Sequence, residues 1–89
     1  MVTAKNVTAD DAQISTGGSL WGFSYRANQV FYITLRSGGV AGNILAHIEA
    51  TIAGGSETHF FNEGIASGAI YVNLESGTFP SGLVVYFKG

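Results

Sequence analysis

A chain of 89 residues, 46% hydrophobic and 11% charged, has the size of one small domain and too much apolar content to remain disordered. A formal net charge of −2 with only four Lys/Arg argues against a nucleic-acid partner, because phosphate backbones are held by clustered cations. The absence of cysteine removes disulfides and thiolate metal sites, and no apolar run approaches the length of a membrane span.

In chain order, residues 1–17 lack aromatics and carry Asp10-Asp11. They read as an extended arm with Val2, Val7 and Ile14 as anchors, suited to adding as an edge strand to a neighbour. No apolar stretch follows Met1, so no secretory signal is expected there. From Leu20 to Arg26 alternation predicts a strand, with Trp21, Phe23 and Tyr25 on one face and Leu20, Gly22, Ser24 and Arg26 on the other. Residues 29–36 predict a second strand, with Phe31, Ile33 and Leu35 inward and Val30, Tyr32, Thr34 and Arg36 outward.

The glycine-rich stretch 37–42 reads as a turn; it lacks the Lys-Ser/Thr of a phosphate loop. Over residues 44–51, Ile44, Ala46, Ile48 and Ala50 alternate with Leu45, His47, Glu49 and Thr51, and two helical turns over 44–50 are an alternative. Residues 58–63 form a further strand around Phe60-Phe61. In residues 68–75, Ile70, Val72 and Leu74 point inward and Tyr71, Asn73 and Glu75 outward. Pro80 marks a turn or exposed edge before a last strand, in which Leu83, Val85 and Phe87 alternate with Val84, Tyr86 and Lys88. Glycine punctuation at short intervals between such segments is the signature of an all-β sandwich or barrel. The expected fold is a small antiparallel β-sandwich or jelly-roll-like domain of seven or eight strands over residues 18–89, with the extended arm at 1–17.

No constellation points to an enzyme. There is no G-x-S-x-G elbow beside His47 or His59, and a domain this small offers no walls for a two-carboxylate glycosidase groove. His47/Glu49 and Glu57/His59 are i, i+2 pairs that a hairpin across residues 52–56 would bring together as metal ligands; the spacing is not diagnostic, and no metal or other cofactor is expected. Asn6-Val7-Thr8 matches a glycosylation sequon without a secretory context.

The charge fraction carries more weight. Average domains are about 25% charged, and part of so neutral a surface is expected to lie against copies of itself or a larger assembly, the alternative being a free surface rich in Ser, Thr, Gly and Asn. Val30, Tyr32, Val84 and Tyr86, on second faces that are not plainly polar, are the expected interface, with Val2, Val7 and Ile14 from the arm. The alternative is a carbohydrate- or receptor-binding module with Trp21 and Tyr71 as stacking residues, assisted by Tyr32.

Residues 31–39 (Phe-Tyr-Ile-Thr-Leu-Arg-Ser-Gly-Gly) and 42–48 (Gly-Asn-Ile-Leu-Ala-His-Ile) resemble a strand, glycine turn and leaving strand of short tailed-phage virion proteins. Phe60-Phe61-Asn62-Glu63-Gly64-Ile65, Gly68-Ala69-Ile70-Tyr71-Val72-Asn73 and Val84-Val85-Tyr86-Phe87 fill the later places of that pattern, so the resemblance spans roughly residues 18–88. It implies a small β-sandwich that decorates a capsid or contributes to fibre or neck structures. The partner it implies is a major capsid or other virion protein; the low charge fraction and the apolar second faces add copies of the chain, with a trimer the expected count. The location it implies is the virion, with no membrane.

Overall fold

The computed structural model describes residues 2–26, 30–51, 54–66, 68–80 and 82–88. All regular structure among them is β: β1 (Thr3–Val7), β2 (Gln13–Ser15), β3 (Ser19–Arg26), β4 (Phe31–Ser37), β5 (Asn43–Ala50), β6 (Ser56–Ala66), β7 (Ile70–Gly77) and β8 (Leu83–Lys88). Residues 44–50, which also admitted two helical turns, are therefore strand. The expected start of the second strand at Gln29 lies outside the described residues.

The strands form two antiparallel four-stranded sheets, β1-β8-β3-β6 and β2-β7-β4-β5. The chain changes sheet at every connection except β4 to β5. Around that hairpin the pairs β3·β6, β2·β7 and β1·β8 nest outward, which is the order of a long hairpin rolled into a jelly roll. The sandwich expectation holds.

The core lies between the sheets. Leu20, Phe23, Tyr25, Leu83 and Val85 come from the first sheet, and Phe31, Ile33, Leu35, Ile48, Ile70 and Val72 from the second. Tyr25 meets Phe31 edge-to-face across the gap, with ring centroids 5.2 Å apart. In β4, β7 and β8 the buried apolar positions follow the alternation of the sequence, because an apolar residue at every second position of a strand must face the other sheet to leave water, although Thr34, expected outward, is buried as well.

Residues 1–17 are not an arm. β1 pairs along its whole length with β8, and β2 pairs with β7. Val7 and Ile14 are 2% and 4% exposed, packed into the same core as the aromatic residues. Asp10 fastens the turn between them: its Oδ1 accepts from the Leu74 amide at 2.7 Å and from the Asp11 amide at 2.8 Å. The expectation failed because the strand state of β1 and β2 is set by distant partners rather than by their own composition.

Alternation also breaks at bulges, three of which re-aim side chains of the longer strands. In β3 the register shifts between Leu20 and Gly22, so Leu20 joins Phe23 and Tyr25 inside and Trp21 leaves the core. In β5 the register passes from Ala46 to Ile44, which turns Ile44 outward at 43% exposure and leaves Leu45 half-buried against the core. In β7 it passes from Leu74 to Ser76, with Glu75 between the two registers. Pro80, expected at a turn or exposed edge, lies in the β7–β8 connection and is buried.

Candidate functional site

Three surfaces carry the candidate residues: the outer face of each sheet and a cleft at one open edge of the sandwich. On the first sheet, cross-strand register places Ala4, Tyr86, Gly22 and Phe60 in one row, and Asn6, Val84, Ser24 and Thr58 in the next. None of these eight is charged. Gly22 separates the two rings of its row and has no side chain to part them, so Phe60 and Tyr86 meet at 4.8 Å between centroids. A Cβ at Gly22 would lie 2.4 Å from the His59 carbonyl oxygen and 2.9 Å from the Phe60 ring. Phe60 remains 55% exposed.

Trp21 is engaged by its own domain. Its Nε1–H donates to Ser19 Oγ at 2.8 Å, and Lys88 Nζ sits 4.4 Å from the ring centroid, a cation–π contact. Gly64, at φ +70°, lies so close to the ring that a Cβ there would come within 2.7 Å of it.

The outer face of the second sheet is polar. Glu75 Oε2 accepts from Arg36 Nη2 at 2.7 Å, Thr34 Oγ1 at 2.7 Å and Asn73 Nδ2 at 2.9 Å. The Arg36 hydrogen bond first, then that of Thr34, holds the Glu75 carboxyl at about 2, against the opposing effect of desolvation. Tyr32 stacks on His47, with 5.8 Å between centroids, and its hydroxyl lies 2.5 Å from His47 Nδ1.

The cleft has a volume of about 320 Å³ and is lined by Phe23, Ala46, His47, Glu57, His59 and Phe61. It opens where β5, the edge of one sheet, passes β6, the edge of the other. Ala46 points inward but is too small to reach the opposite sheet, so the space beneath Phe23 and Phe61 stays open. Tyr25, buried alongside, directs its hydroxyl at Glu57 Oε2 (3.1 Å) and the Glu49 carbonyl oxygen (3.2 Å). Burial first, and then the Glu57 carboxylate, raises the Tyr25 phenol above its ordinary value.

The sequence-derived sites are therefore redistributed. Val84 and Tyr86 share the neutral face of the first sheet, whereas Tyr32 lies on the second; Val2 and Val30 are exposed, and Val7 and Ile14 are core. Trp21 and Tyr71, the expected sugar-stacking pair, stand on opposite sheets and form no common platform. β5 and β6 do not form the hairpin on which a His47/Glu49 and Glu57/His59 ligand set would depend, since β5 pairs with β4 and β6 with β3. His47, Glu57 and His59 nonetheless line one cleft, although among the described residues no group of three or more His, Cys, Asp or Glu is arranged to hold a metal ion. Phe60, the most exposed large aromatic residue, was read from sequence only as the centre of a strand.

Among the described residues, no helix is long and apolar enough to cross a membrane. A comparison with protein-family models finds no match, and neither a curated protein nor a solved structure matches the chain.

Proposed function

We propose that this chain is a non-catalytic structural subunit of a tailed-phage virion, a capsid decoration protein that associates with copies of itself. One observation carries the reading: the two uncharged rows across all four strands of the first sheet, with the Phe60–Tyr86 pair open to water. Two adjacent rows without charges meet a copy of themselves without the desolvation cost that makes buried ions weak contributors to an interface. Large aromatic residues at the centre of such a face supply most of the binding energy of an interface. The contact needs area and shape, and no reactive group.

The virion setting rests on the resemblance over residues 18–88. The jelly-roll order agrees with it but does not choose among functions, since capsid and lectin domains both use this architecture. A trimer is the proposed count, with a major capsid protein as the surface to which it attaches.

Native mass spectrometry on the protein and its Phe60→Lys/Tyr86→Lys variant tests the reading. The expected result is an oligomer for the former and a folded monomer for the latter, because a lysine pair would bury unpaired charge in the contact. An oligomer that survives both substitutions would place the interface elsewhere.

A further inference from the structure

We infer that the cleft between β5 and β6 binds a single neutral sugar ring. Its volume of about 320 Å³ lies at the small end of the range for ligand sites, which suits one ring rather than a chain of them. The wall is aromatic: the rings of Phe23, Phe61 and His59 pack on one another at 5.0 to 6.5 Å between centroids. The C–H face of a pyranose can lie on such a surface while its hydroxyls turn to polar groups.

Those groups are present at the rim. Glu57 is held by the Tyr25 hydroxyl, which fixes the carboxylate before a ligand arrives. A carboxylate accepts at both oxygens, so a sugar hydroxyl can donate to Glu57 without displacing Tyr25. His47 is positioned by its contact with Tyr32 through Nδ1, and its Nε2 is a second polar partner.

The lining also discriminates. Among the described residues, no lysine or arginine lines the cleft and one carboxylate does, which disfavours phosphates and acids. A quaternary ammonium would satisfy the rings and Glu57 but leave the imidazole nitrogens without hydroxyl partners. The site is distinct from the neutral face proposed for self-association, which lies on the outside of the first sheet, so either proposal can fail without the other.

The test is ligand-observed and protein-observed NMR with glucose, galactose, mannose and N-acetylglucosamine, and choline as the cationic control. At least one sugar is expected to bind with a dissociation constant of about millimolar, the scale of a dozen-atom ligand at drug-like efficiency. Its amide shifts should map to residues 46–47 and 57–61. Glu57→Gln should weaken binding about tenfold, the scale of one charge-assisted hydrogen bond. Ala46→Leu, which fills the cleft, should abolish it while the dispersed amide spectrum of the fold persists. No saturable shift with any sugar, binding of choline alone, or shifts that map to Trp21 or Tyr71 would overturn the proposal. If Ala46→Leu does not fold, the Glu57→Gln affinity and the shift map decide.

Discussion

Phe60 on β6 and Tyr86 on β8 touch across Gly22 of the intervening strand, although each is separated from the other by a full strand of the sheet. The contact depends on a missing side chain. Gly22→Ala should force a methyl against the His59 carbonyl and the Phe60 ring and destabilise the protein by about 1–3 kcal/mol, the usual cost of overpacking. Urea unfolding measures it; an unchanged midpoint would mean that β3 and β6 part easily at this row.

The N-terminal residues should be indispensable to the fold. Ile14→Ala removes a core side chain and should cost about 2–5 kcal/mol. Deleting residues 1–16 strips β1 from the first sheet and all of β2 from the second, exposing β7 and β8 as new edges. Loss of amide dispersion in the truncated chain is the expected outcome, and a cooperatively folded truncation would contradict the placement of Val7 and Ile14.

Glu75 should give acid stability a specific origin. Its carboxyl is lowered to about 2 in the folded chain from an ordinary value near 4.5, chiefly by Arg36 and Thr34. An unfolded chain takes up the proton first, so this contribution is complete above about pH 4.5 and is lost as pH falls toward 2. Glu75→Gln should lower the thermal midpoint at neutral pH and flatten its dependence between those values. Parallel pH profiles for the two proteins would remove Glu75 as the cause.

How far the sequence reports this structure differs between elements. β4, β7 and β8 are legible because Phe31/Ile33/Leu35, Ile70/Val72/Leu74 and Leu83/Val85/Phe87 keep the two-residue period of a strand with one buried face. The bulges at Trp21, Leu45 and Glu75 are not, because one extra residue reverses the facing of everything before it and leaves no distinctive local residue. Ile44 looks like core in the sequence for that reason, and Trp21 looks like a partner of Phe23. β1 and β2 are hidden by their composition and exist through pairing with strands far along the chain, as Thr3 with Phe87 and Ser15 with Ile70. The cleft is hidden in the same way: Ala46 and His59 become neighbours only once β5 and β6 are assigned to facing edges.

Self-association through the neutral face of the first sheet is the central claim, and the solution mass of the unmodified chain tests it most directly. Sedimentation equilibrium at roughly 100 μM, well above the dissociation constant of a standard-size interface, should return about three times the 9.3 kDa of one chain. A mass of 9.3 kDa at that concentration would contradict the claim.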